Sequence, residues 1–119
     1  MRIFLVCPVR NVSKKENAKI RAYVRNLEKQ GHKVYWPYRD NPHQQTDTIG
    51  TVIINNNHFE MKHSDEVHIW WNPNSTGSIW DVCMAWMLGK CLFLVNRNEV
   101  KPTPFKSFTN VVLDMTRKP

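Results

Sequence analysis

Short apolar runs, each stopped by a residue that breaks regular structure, alternate along this chain with segments whose apolar residues recur at helical spacing. Arg2–Cys7 is β-branched and aromatic and stops at Pro8; it is apolar on both faces, the pattern of a central strand. Val34–Trp36 before Pro37, Glu66–Trp71 before the turn-rich Asn72–Gly77, and Cys91–Val95 repeat the theme, and Val111–Leu113 reads as a shorter fifth strand. Ser13-Lys14-Lys15-Glu16 has the spacing in which a Ser caps a helix and a Glu reaches back to the cap. Ile20, Tyr23, Val24 and Leu27 give that helix an apolar face, and Gly31 ends it. A second helix is expected from Ile49 to about His63, weakened by Gly50 and three consecutive Asn, and a third over Ile79–Leu88, ended by Gly89.

Strands alternating with helices form βαβ units, whose right-handed crossovers put every strand C-terminus on one edge of a parallel sheet. The expected fold is therefore α/β: one domain over residues 1–119, a flavodoxin- or Rossmann-like three-layer sandwich with a mostly parallel sheet of four to five strands. Ligands bind such sheets at the C-terminal edge. Three loops land there: Pro8–Ser13, Pro37–Thr48, which reads as a loop or lid, and Asn72–Ser78.

With 119 residues the chain is sized for one domain, and 41% hydrophobic residues argue against disorder. No apolar stretch exceeds seven residues, Val82–Leu88, whereas a membrane helix needs about 20. The start Met1–Val6 lacks the longer core and cleavage site of a secretory signal, so a cytoplasmic location is expected. Cys7, Cys83 and Cys91 form no Cys-x-x-Cys pair and read as buried free thiols. The net charge of +7 is concentrated: residues 1–39 hold ten basic and two acidic side chains. Such a surface suits an anion, from a small phosphate to a nucleic acid. The Arg21, Arg25 and Lys29 stripe on the first helix reads as a solvated face, which argues against nucleic acid as the partner.

Pro8, Val9, Arg10 and Asn11 join the first strand to a helix N-terminus, where free amides and the helix dipole attract anions and Arg10 adds a donor fork. Ser75, Gly77 and Ser78 sit at another helix start, with Asp81 just beyond; Ser78 and Asp81 also have capping-box spacing, a purely structural alternative. Asp65 could be a turn residue. His58, His63 and His68 are five apart, which no helix face brings together, so no metal is expected. Walker and Gly-x-Gly-x-x-Gly patterns are absent, as is a Ser/His/Asp elbow. Trp36 and Trp71 lie near strand ends where a base could stack, while Trp80 and Trp86 read as core or interface residues.

In order and spacing these pieces resemble the nucleoside 2-deoxyribosyltransferase superfamily, including its nucleoside 5′-monophosphate N-glycosidases, over about residues 2 to 95. The matching elements are Cys7-Pro8-Val9-Arg10, similar to the glycosidases' Gly-Ser-Ile-Arg loop; Ser64-Asp65 before an apolar strand; and Pro73-Asn74-Ser75-Thr76-Gly77 leading to Asp81. The resemblance implies that Asp81 attacks the anomeric carbon of a deoxyribose and displaces the base, with Asp65 assisting proton transfer. Pro8, Val9, Arg10, Asn11, Ser75, Gly77 and Ser78 would bind the substrate, a small nucleoside or nucleotide. No cofactor is implied, and a homodimer or higher homo-oligomer is. The family's nucleophile is Glu and its first strand carries Tyr; here Asp81 and Phe4 stand in those places. A nucleotide-sensing module of the same fold, or an NAD-cleaving relative, are the alternatives.

Overall fold

In the computed structural model, which describes residues 1–119, β1 (Arg2–Val6), β2 (Lys33–Tyr35), β3 (Glu66–Ile69) and β4 (Cys91–Leu94) form one all-parallel sheet in the order β2-β1-β3-β4. Phe4 lies between Tyr35 and Val67 in register, and His68 lies opposite Phe93. The period of two along β1 sorts the core into two layers. Ile3, Leu5 and Cys7 pack against Ile20, Val24 and Leu27 of α1 (Lys14–Lys29) on one face. Phe4 and Val6 face the other, against Met61 of α3 (Thr51–Lys62) and Val82 and Ala85 of α4 (Thr76–Met87). Each such fully buried aliphatic side chain contributes roughly 1.5–3 kcal/mol.

The Ser13 Oγ accepts from the Glu16 amide at 3.0 Å, starting α1 where the spacing requires, and Gly31 follows its end at φ 92°, a left-handed backbone that a side chain would strain. The segment expected as a lid is tied down. Its first residues form α2 (Pro37–Asp40), and Asn41 Nδ2 donates to Asn57 Oδ1 at 3.0 Å and to the Ile53 carbonyl at 3.3 Å. Asp47 closes the segment by accepting from the Ile49 and Ile53 amides; main-chain amides of Gly50 and Ile53 hold its carboxyl below the usual range.

Two expected elements differ. Val111–Leu113 is not a strand: it lies inside α5 (Phe108–Met115), which Ser107 caps by accepting from the Asn110 amide at 3.1 Å. Three apolar residues carry no period, and here Thr109 and Val112 are buried three apart while Val111 is half exposed. The sheet therefore has four strands, and only Arg117 extends it, bridging Phe93 on the β4 edge. The third expected helix also starts a turn early, at Thr76, because Ser75 and not Ser78 is its cap. No helix is long and apolar enough to cross a membrane.

Below the site, three polar groups share a core position. Tyr23 Oη meets His68 Nδ1 at 2.5 Å, and His68 Nε2 meets Glu66 Oε1 at 2.8 Å. Burial pushes the His68 imidazole below its ordinary value, against the pull of Glu66.

Candidate active site

The chain leaves β1 toward β2 through α1, and leaves β3 toward β4 through α4. Because β1 and β3 are neighbours, their connections depart in opposite directions and open a crevice over their C-terminal ends. Cys7, buried, follows β1 at this end. Burial pushes this thiol up to about 12, the charges of Asp81 and Glu16 push it the same way, and the Trp36 indole N–H pulls it back.

Asp81 stands in the second turn of α4, past the cap, so the capping alternative fails. Burial alone pushes its carboxyl up to about 7; no hydrogen bond or cation holds it. Glu16 is half-buried in the first turn of α1, and its capping box is half made. Its amide reaches Ser13, but its carboxylate accepts instead from Trp70 Nε1 and Asn72 Nδ2, each at 3.4 Å. Trp36 is 1% exposed, and its Nε1–H acts on the Cys7 thiol with no oxygen or nitrogen acceptor of its own.

The rims come from the two predicted loops. Pro8 is buried and Val9 half-buried; Arg10 is exposed and in none of the chain's ion pairs; Asn11 takes φ 55°, a left-handed turn that Asn tolerates. Across the crevice, the Ser75 and Ser78 hydroxyls bond each other at 2.8 Å; Ser78 is buried and fixes Ser75 from behind. A Cβ on Gly77 would meet no atom within 4 Å. Protein packing gives no reason for glycine there, and close approach of a ligand does.

Asp65 is not brought to this site. It precedes β3, so it lies at the opposite edge of the sheet, exposed, its Oδ2 accepting from the Arg2 amide at 2.7 Å. The four residues of β3 separate it from the crevice by about 13 Å at ~3.3 Å each. Trp71 is no stacking platform either: it is buried and donates to Thr109 Oγ1 at 3.0 Å. Trp36 is buried too, with its ring stacked on Tyr38 and under Arg21 at 5.1 Å. Trp80 and Trp86 are about 60% exposed and not core, and of the three thiols expected to be buried only Cys7 is, Cys83 and Cys91 being exposed. No three His, Cys, Asp or Glu side chains gather closely enough to hold a metal ion. A cavity of about 410 Å³ lies between α4 and α5; Asp114 is its one charged lining residue, so it carries no donor set for chemistry.

Sequence reasoning alone does not reach Glu16 or the indole N–H of Trp36 as parts of a site. The Ser-x-x-Glu spacing accounts for a Glu at position 16 by itself, and an indole at a strand end presents a ring to stack or pack before it presents a donor.

No family model and no curated protein matches this sequence. Solved structures do match in fold. A 2-deoxyribosyltransferase from Bacillus psychrosaccharolyticus is similar over 100% of this chain and 98% of its own, with TM-score 0.68 and 20% identity. The CMP N-glycosidase of Clostridium botulinum is similar over 98% of this chain and 83% of its own, at TM-score 0.60 and 17% identity. A 2-deoxyribosyltransferase from Leishmania mexicana matches over 79% and 63%, with the same score and identity. The chain thus has the fold that these glycosidic-bond enzymes share.

Proposed function

We propose that this chain belongs with those enzymes and cleaves or transfers at the N-glycosidic bond of a deoxynucleoside or its 5′-monophosphate, with Asp81 as nucleophile. The observation that carries the reading is an acid in the switch-point crevice with no partner of its own and a carboxyl raised to about 7 by burial. An oxocarbenium-like transition state places positive charge at C1′, and a dry carboxylate beside it stabilises that charge and traps it as an ester. The bond from C1′ to the base breaks with its electron pair moving to the base; water or a second base then releases the sugar. Arg10, Ser75 and the amides at Gly77 suit the 5′ end of the substrate, where a phosphate would meet the N-terminus of α4.

Two residues shape the rate. Asp81 is one methylene shorter than the Glu of the resembling enzymes, a retreat of about 1.5 Å that must be recovered by the substrate sitting deeper. Phe4 is fully buried and stacked on Tyr35 at 5.5 Å, so no first-strand hydroxyl steers the carboxylate. Both features also favour the second reading, a module that binds a nucleotide without cleaving it. A chromatographic screen of nucleosides, monophosphates and NAD separates them: free base from at least one deoxynucleotide or deoxynucleoside, abolished by Asp81→Ala, supports catalysis. Binding without release from any supports the sensor.

The homo-oligomer expected from the resemblance has a candidate surface. Trp86 and Phe108, each at least 60% exposed, border the apolar α4/α5 groove together with Val111. Aromatic side chains carry roughly 150–250 Å² each, so such a face supplies much of the ~800 Å² per partner that a stable dimer buries. Sedimentation of the wild type and of Trp86→Glu tests it, with a monomeric wild type refuting it.

A further inference from the structure

We propose that Glu16 is the second catalytic carboxylate of this crevice, the group that gives a proton to the departing base and then takes one from the water or base that replaces it. The inference rests on the reading of Asp81 as nucleophile. Its first support is the half-made capping box. A Glu three residues after a capping Ser ordinarily bonds the cap amide; here the carboxylate turns from its own helix end and reaches across to the end of β3. Its two bonds there, both 3.4 Å, sit beyond the usual range for N–H to oxygen and leave lone pairs open to a ligand.

The second support is placement. Glu16 and Asp81 come from helices on opposite faces of the sheet, yet the charges of both reach the Cys7 thiol. Glu16 is bonded to Trp70 and Asn72 just after β3, and Asp81 stands on the helix that follows, so two carboxylates serve one end of the sheet, as glycosidic-bond chemistry uses them. The Trp36 Nε1–H is buried and acts on the Cys7 thiol from the β2 side. Asp65, the other acid considered for proton transfer, is at the far edge.

The step balances. As an Asp81 oxygen bonds C1′, the bond from C1′ to nitrogen breaks, its electron pair goes to the base, and that nitrogen takes the proton of the Glu16 carboxyl. In the second half, water gives a proton to Glu16 while its oxygen bonds C1′, and the ester electrons return to Asp81. The pair begins and ends with one proton.

Leaving-group dependence tests this. The probes are a natural deoxynucleoside, whose base leaves only when protonated, and a nitrophenyl 2-deoxyriboside, whose phenolate leaves unaided. Glu16→Gln keeps the side chain's shape and is expected to slow base release 100-fold or more but first-turnover nitrophenolate release less than about 10-fold. The deoxyribosyl ester should then accumulate on Asp81, visible by intact mass. Glu16→Asp should restore part of the base release, and thermal melting confirms that each variant folds. Equal slowing of both probes, or of neither, overturns the assignment while leaving Asp81 in place. A wild type that turns over neither probe and forms no ester overturns the Asp81 reading and this one with it.

Discussion

Asp81→Asn should make the protein more stable and inactive at once, and the stability half can be worked from the structure. The carboxyl moves from an ordinary 3.8 to about 7 because burial opposes its charge. A raised acid is neutral in the fold more readily than in the unfolded chain, so the fold loses stability as pH rises from about 4 to about 7, and the loss is complete above that. Three units at 1.36 kcal/mol each give about 4 kcal/mol, and solvent reaching an open crevice reduces this to roughly 2 kcal/mol. An amide has no charge to bury. Urea unfolding of the two proteins from pH 4 to 9 should show the variant gaining on the wild type across that window and holding a constant lead of about 2 kcal/mol above pH 7.5. At about 4 °C per kcal/mol for a chain of this size, melting should rise by roughly 8 °C at pH 8. A difference that does not change with pH, or a wild type more stable than the variant at pH 8, would mean that a partner holds the carboxylate and the crevice has no free acid.

Gly77→Ala should raise stability by up to ~1 kcal/mol, since helix propensity improves and nothing lies within 4 Å of the new methyl, while KM for the substrate rises. A stability loss would contradict the open space. Asp65→Ala should leave turnover within about twofold and cost roughly 1 kcal/mol through the lost Arg2 amide bond; a large fall in kcat at full stability would return Asp65 to the site. Tyr23→Phe should cost ~1–3 kcal/mol by leaving His68 Nδ1 unpaired, read by urea unfolding at pH 8. His68 itself is held below its ordinary value, so the wild type should lose stability as pH falls below about 6.5, where the unfolded chain takes up the proton more readily than the buried ring.

How much of this is readable without the structure depends on whether a signal has a period. β1 and α1 carry one, and their ends fall within a residue of where the pattern puts them; Val111–Leu113 is too short to have one, and only its capping Ser107 marks it as helix. Asp81 is reachable because a motif fixes its distance from Ser75, although the cap lies one turn earlier than the spacing suggests. Asp65 illustrates a different failure. In a parallel sheet, residues that precede strands gather at one edge and residues that follow them at the other, so an acid before β3 and an acid after it cannot share a crevice. That rule is available from topology alone, and linear resemblance passes over it. Glu16 is not reachable, because the sequence supplies a complete local reason for it that the fold declines to use.

Most of the molecule's other carboxylates are bonded, in contrast to Asp81. Asp40 accepts from the Trp36 amide and Arg39, Asp47 from two amides, Asp65 from the Arg2 amide, Glu66 contacts His68, and Glu99 pairs with Lys19; each has a bond of 3.1 Å or less. Satisfied groups of that kind are what folding stability selects. At the C-terminal ends of β1 and β3 stand a half-buried acid with no partner and a capping Glu turned from its cap. Local rules broken together at one place are expected where structure has been given over to binding and chemistry.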